Sequence, residues 1–303
     1  MKYLVTGGLG FIGSNMTDFL IEKGHTVIAV DDLSTGDPSY ANPKAIYVNA
    51  HITDLDTMQG LMQNCDAVFH FAAWARLQRS INDPLGTNNA NITGTLTLLE
   101  AVRRNKIKRF IFSSSSSVYG QQKDPEMIEL MNPNPMHPYA LQKWAGEEYC
   151  RLFSKLFNFQ AVALRYFNVY GKRQILQGDY ALVIGRFLEQ KKKGQKLTIY
   201  GDGTQTRAYT HVSDVVEANW LAANYDMTND TKRNPNFDIF NIGTEVEVSV
   251  NKIAQLVGGE IEHIIPNPRG NFEETRKCAN FNKAKQILGW QPKIYIEEGM
   301  KML

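Results

Sequence analysis

The sequence predicts an α/β protein: a doubly wound parallel sheet with a smaller, mixed α/β C-terminal lobe. Two observations carry this expectation. Short apolar runs alternate with longer helix-period segments through the first half, and those runs lack the polar alternation of a half-exposed strand. Runs of that kind suit parallel strands covered by helices on both faces. The rhythm then breaks after Leu164, where residues 172–208 turn rich in polar residues and glycine.

Residues 1–5 read as the first strand, Thr6-Gly7-Gly8-Leu9-Gly10-Phe11-Ile12-Gly13 follows at once, and 14–22 continues with helical spacing. Strand, glycine turn and helix in that order make a phosphate site. Gly7 permits the tight reversal, Gly10 lets a pyrophosphate approach the backbone, and Gly13 lets the helix pack closely on the strand. The N–H groups that open the helix, around Phe11 and Ile12, then face the phosphates. A second strand at 25–30 ends in Asp31-Asp32, and Asp31 stands 18 residues after Gly13. That is close to the offset of about 20 at which an acid meets the adenosine ribose hydroxyls. A carboxylate there repels a 2′-phosphate, so NAD is expected rather than NADP. Many glycine-rich turns are only turns; with strand, helix and acid in register, the unit reads as a Rossmann dinucleotide site.

Further strands are expected at 45–48, 67–71, 109–112 and 160–165, with helices over 55–64, 88–105 and 139–157. A helix near 212–226 and a strand at 237–240 read as a return to the sheet. The lobe supplies a helix near 180–193, a short helix after Ser249, a loop around 266–270 and a final helix near 281–288. The dinucleotide domain is thus expected over 1–168 plus 209–244, and the lobe over 169–208 plus 245–303.

Composition narrows the class of function. A net charge of +2 is too near balance to argue for a nucleic-acid or membrane partner. Cys65, Cys150 and Cys278 are odd in number and lack ligand spacing, so no metal is expected and a reducing cytoplasm fits. The start shows no basic-then-apolar signal segment, and no apolar stretch nears the ~18 residues of a membrane span.

Two stretches carry chemistry. Ser113 to Ser117 is a run of five serines placed directly after a strand. A spacer would read the same in isolation, but the carboxyl edge of a parallel sheet is where reacting groups belong. Tyr139 and Lys143, after His137-Pro138, lie one helical turn apart on one face. A free tyrosine titrates near pKa ~10, and a neighbouring ammonium and a cationic nicotinamide both favour its phenolate. Tyr139 could then take the proton of a sugar hydroxyl as hydride leaves the same carbon. The bland alternative is a packed tyrosine and a solvated lysine.

With these pieces in order the chain resembles the extended short-chain dehydrogenase/reductase superfamily. Within it the match is to the NAD-dependent nucleotide-sugar epimerase/dehydratase family, especially its UDP-hexose 4-epimerases. The matching segments are TGGLGFIG at the start, HFAA at 70–73, NITGT at 91–95, SSSSSVYG at 113–120 and YALQK at 139–143. LRYFNVYG at 164–171, YGDGTQTR at 200–207, HVSD at 211–214, NIGT at 241–244 and LGWQP at 288–292 complete the pattern. The resemblance implies NAD as cofactor and a nucleotide sugar, UDP-linked, as substrate. It implies Ser115, Tyr139 and Lys143 as the catalytic set, with Ser116 and Ser117 as alternatives for the serine. Ile52, Phe71, Ala72, Ala73, Asn91, Ser113 and Tyr166 would join the glycine turn, Asp31 and Asp32 around the cofactor. Ser116, Asn168 and Arg207 would meet the substrate, with Arg269 or Arg276 as a second arginine on its diphosphate. A homodimer built on helices 88–105 and 140–157 is implied as well.

Several positions depart from the family pattern. Ser116 and Ser117 replace the Asp-Glu pair of the 4,6-dehydratases, so water elimination lacks its acid and base. His51 stands where an aspartate near the adenine is usual, and Ala208 replaces an acidic residue. Arg76 and Arg79 either touch substrate or are solvated, and Lys277, long and cationic, suggests an unusual sugar. His70 is expected to pack at a strand end, while His25, His211 and His263 are expected to be structural or exposed.

Overall fold

A computed structural model describes residues 1–75, 77–176, 182–229, 234–265 and 278–303. Its centre is a parallel sheet of seven strands: β1 (Lys2–Thr6), β2 (Thr26–Asp31), β3 (Ile46–Asn49), β4 (Ala67–His70), β5 (Arg109–Ser115), β6 (Gln160–Tyr166) and β7 (Phe237–Ile242). They lie in the order β7-β6-β5-β4-β1-β2-β3. The crevice between the loops of β1 and β4, where the winding reverses, is where such sheets take ligands.

The longer helices are α1 (Phe11–Glu22), α2 (Leu55–Leu61), α3 (Gly94–Asn105), α4 (Pro138–Phe157), α5 (Val183–Lys192), α6 (Val212–Asn224), α7 (Val250–Val257) and α8 (Asn282–Leu288), with shorter ones at Leu77–Asn82, Pro84–Asn88 and Ile296–Gly299. Strand alternation splits the core into two layers. Tyr3 and Val5 of β1 pack with Met16 and Leu20 of α1 and Val215 and Ala218 of α6 on one face. Leu4 packs with Leu98 and Leu99 of α3, Phe110 and Phe112 of β5 and Cys150 of α4 on the other. Both faces are therefore apolar, which is why the strands carry no polar alternation. The three cysteines are buried.

Two expectations need adjusting. The helix expected over 88–105 begins earlier, at Pro84, because Asp83 accepts from the Gly86 N–H and Pro84 suits the first helical position. It then passes through a π-helical stretch, Asn89–Thr93, before α3. The lobe also holds short strands that were not anticipated: Leu197–Tyr200 pairs parallel with Ile261–Ile264, and Thr206–Ala208 pairs antiparallel with Glu247–Ser249. Among the described residues no helix is long and apolar enough to cross a membrane.

Candidate active site

The carboxyl ends of β1, β2, β4, β5 and β6 surround a cavity of about 590 Å³ that also reaches the lobe. Its floor is the glycine turn. Gly7 has φ +67°, and a Cβ there would stand 2.8 Å from the Ala72 nitrogen. A Cβ on Gly13 would stand 2.1 Å from the Gly7 carbonyl oxygen. Only glycine lets α1 start this close to β1. Gly10 caps α1 with no side-chain hydrogen bond, and Phe11, Ile12 and Gly13 line the cavity. The helix N-terminus, with its unsatisfied N–H groups and partial positive charge, is thus left to a ligand.

Asp31 closes this end. Its Oδ2 accepts from Leu9 N at 2.9 Å and its Oδ1 from Leu33 N at 2.9 Å, so one carboxylate ties the glycine turn to the loop after β2. Burial pushes its carboxyl up, against the pull of those N–H donors. Asp32 is more open; His51 Nε2 lies 3.8 Å from its Oδ2, beside Ile52, which packs on Gly94. His51 therefore faces the cavity where an aspartate was the expected type. A carboxylate fixed at the cavity wall by Leu9 N and Leu33 N, and a cradle that a Cβ on Gly7 or Gly13 would fill, suit the ribose and phosphates of a dinucleotide.

The opposite end holds the groups able to move a proton. Tyr139 and Lys143 sit one turn apart on α4, with the ammonium 5.9 Å from the Tyr139 ring centre. Lys143 is 4% exposed and donates to the Ser113 carbonyl at 2.7 Å. Burial brings its pKa down to about 8, so it remains a cation at neutral pH. His137 caps α4, its Nδ1 accepting from Ala140 N at 3.2 Å, and stacks parallel on Tyr139.

Strand alternation sorts the five serines. Ser113 turns to the Tyr166 hydroxyl (3.2 Å), while Ser114 turns away and donates to Glu147 Oε1. Ser115 returns to the cavity, paired in register with Tyr166, and its Oγ accepts from the backbone and hydroxyl of Ser117 at 3.2 and 2.9 Å. Ser115 thus keeps its own proton to donate. Behind it Glu147 holds Arg165 through two hydrogen bonds of 2.8 and 2.7 Å, both residues almost fully buried.

Most residues expected at the site line the cavity, including Phe71, Ala72, Ala73, Ser116, Asn168 and Arg207. Asn91 does not. Its Oδ1 accepts from Trp74 N at 2.8 Å, and its Nδ2 donates to Trp74 O and to Gln142 Oε1. Its amide is consumed in holding the loop after β4, so it stands behind the site. Tyr166 lines the cavity, but its hydroxyl is turned inward to Ser113 and Asn219, and burial pushes its phenol up. His70 is buried as expected, between Thr6 Oγ1 (2.8 Å) and Thr95 Oγ1 (2.9 Å). Arg79 is half-buried, and its guanidinium lies 3.4 Å from the Trp74 ring centre. Arg76, Arg269, Arg276 and Lys277 lie outside the described residues. Trp74, Ser34, Thr35 and His137 line the cavity without having been anticipated. For His137 the signal was the His-Pro step before a helix; an aromatic in a loop, like Trp74, gives none.

Known proteins resemble this chain along almost its whole length. UDP-glucose 4-epimerase from Mycolicibacterium smegmatis is 36% identical over 99% of this chain and 96% of that protein. A UDP-N-acetyl-alpha-D-glucosaminuronate decarboxylase from Bacillus cytotoxicus is 32% identical over 99% of this chain and 95% of its own. The crystal structure of Thermotoga maritima UDP-glucose 4-epimerase with UDP-glucose superposes with a TM-score of 0.90, at 36% identity, over 100% of this chain and 97% of that one. The model of the NAD dependent epimerase/dehydratase family matches residues 3–243, so with the glycine cradle, the buried lysine and the serine edge in place, the chain belongs to that family.

Proposed function

We propose that this protein is an NAD-dependent epimerase that interconverts UDP-hexoses at C4 through a transient 4-keto sugar. The observation that carries the reading is the placement of Tyr139 and Lys143 on one cavity-facing turn of α4, opposite Ser115 at the end of β5. The glycine turn, Asp31 and Lys143 would hold NAD, which would supply a reversible acceptor for the C4 hydride, so that no net redox would result. Tyr139 accepts the O4 proton as that hydride leaves and gives it back on return. Lys143, pinned to the Ser113 carbonyl, sets an ammonium beside the phenol and favours its phenolate. Ser115 donates its hydroxyl proton to the sugar oxygen. Asn168 and Arg207 hold the diphosphate, and that remote anchor leaves the sugar free to turn. Ser116 and Ser117 offer no carboxylate for water elimination, which favours epimerisation over dehydration.

Incubation with UDP-glucose, UDP-N-acetylglucosamine and UDP-glucuronate tests this. Epimerisation inverts C4 at constant mass. Loss of water or carbon dioxide from any of the three, without inversion, would replace this reading with dehydration or decarboxylation.

The division into 1–168 plus 209–244 and 169–208 plus 245–303 is part of the same reading. Its support is that all seven sheet strands fall in the first set, while Ile184, Phe187, Leu197, Ile199 and Ile253 form a separate core in the second. A homodimer is supported by the apolar side chains on the outer face of α4, with Leu141, Leu152 and Leu156 at 50%, 43% and 69% exposure. A cytoplasmic location is supported by three buried cysteines that stand outside any disulfide among the described residues.

A further inference from the structure

The loop after β4 and the loop after β2 touch each other, although their strands do not. β1 lies between β4 and β2 in the sheet, and its own loop is the glycine turn. Two strand spacings, roughly 10 Å, separate β4 from β2. The contact nevertheless exists: the Trp74 indole Nε1–H donates to Ser34 Oγ at 3.1 Å. The contact therefore spans the end of β1, at the cavity that the glycine turn and the start of α1 also line. Both residues line the cavity, so the bridge forms part of its wall.

Each half of the bridge is held in place. Asn91 grips the Trp74 backbone at both its N–H and its carbonyl. One face of the indole carries the Arg79 guanidinium, 3.4 Å from the ring centre. The ring edge lies so near Gly86 that a Cβ there would stand 2.9 Å from Cζ3. Arg79 in turn feels the carboxylates of Asp83, which caps the next short helix, and of Asp32, at the end of β2. On the other side Asp32 Oδ1 accepts from Ser34 N at 3.0 Å, and Asp31 Oδ1 holds Leu33 N in a left-handed turn at φ 61°. The acids at the end of β2 thus shape the loop that presents Ser34. The bridge itself is one hydrogen bond long, weak enough to open.

We propose that Trp74 and Ser34 form a latch that closes over the diphosphate bridge of the bound dinucleotide and retains it between turnovers. The proposal rests on the NAD reading above and adds residues to the cofactor site that the sequence did not single out. An enzyme whose cofactor is regenerated in place gains nothing from exchanging it, and a strap across the phosphates slows release without touching the nicotinamide.

The test is the rate of NAD release, followed by displacement with radiolabelled NAD, together with the amount of dinucleotide that survives desalting. The parent protein is expected to keep its dinucleotide through desalting. Ser34→Ala and Trp74→Phe each remove the hydrogen bond and keep the packing on Gly86 and Arg79; each should raise the release rate roughly three- to tenfold. Trp74→Ala removes the cation–π contact as well and should raise it on the order of 100-fold, making activity depend on added NAD. Association should not slow in any of them, because a latch hinders entry as well as exit. Release rates within twofold of the parent in Ser34→Ala and Trp74→Phe overturn the latch, and these two decide alone if Trp74→Ala does not fold. Loss of NAD from the parent on desalting overturns it too. A parent protein that takes up no NAD in equilibrium dialysis refutes the cofactor reading itself, a result distinct from binding with unchanged release.

Discussion

The two ends of the cavity are built from different materials. At the glycine turn the backbone forms the wall, and the close approaches are Gly13 to the Gly7 carbonyl and Gly7 to Ala72. At the serine edge the wall is a set of buried side chains, in which Ser114 and Arg165 converge on Glu147 and Lys143 on Ser113. The first end tolerates no added atom, and the second tolerates no missing charge. The difference follows from what each binds: phosphates need N–H groups brought close, while proton transfer needs a cation and a hydroxyl held at fixed positions.

The largest expected effect tests whether the second end is chemical and not merely structural. Tyr139→Phe should lower kcat by about 10²- to 10⁴-fold, the range of general acid–base catalysis, while the bound dinucleotide and the thermal midpoint stay near the parent's. Turnover at the parent rate would remove Tyr139 from the mechanism. Next comes Glu147→Gln, which strands the Arg165 guanidinium in the core without its carboxylate and should cost about 3–5 kcal/mol in urea unfolding. The double replacement Glu147→Met with Arg165→Met should recover most of that loss, because a buried pair exchanged for apolar groups is often neutral. If the single and double variants are equally unstable, the pair acts through packing and not charge. Gly13→Ala tests the first end. Overpacking against the Gly7 carbonyl should cost about 1–3 kcal/mol and displace α1, with loss of NAD binding in equilibrium dialysis. Binding of NAD at the parent's affinity would contradict the claim that the backbone approach is at its limit.

The same contrast explains what the sequence made legible. Residues 6–13 are contiguous, and each glycine's role is local, so strand, turn and helix could be read directly. The sheet strands were legible because burial on both faces leaves them apolar throughout. Neither property holds elsewhere. Leu197–Tyr200 and Ile261–Ile264 are four-residue strands whose partners lie some 60 residues apart, and no local pattern marks them. The register of five identical serines is set by pairing with β6, which puts Ser115 opposite Tyr166 and sends Ser114 to Glu147. Asn91 was expected at the cofactor because the family resemblance implies it; a sequence does not show that the Trp74 backbone and Gln142 have already taken its amide.

His70 joins the two ends and gives the smallest effect. It ends β4, contacts Thr6 at the foot of the glycine turn, reaches Thr95 on α3, and faces the Lys143 ammonium. Full burial and that ammonium hold its pKa well below the ordinary 6.5, so the folded protein carries it neutral. The unfolded chain takes up a proton here below pH ~6.5 and the folded one does not. Stability from this group is therefore complete above pH ~6.5 and is lost as the pH falls below it, by about 1 kcal/mol between pH ~6.5 and ~5.5. His70→Gln, which cannot titrate, should lower stability at pH ~7.5 and flatten that part of the urea-unfolding profile. An equally steep fall in the variant would place the proton on another group, and the joint between the two ends would then rest on Thr6 and Thr95 packing alone.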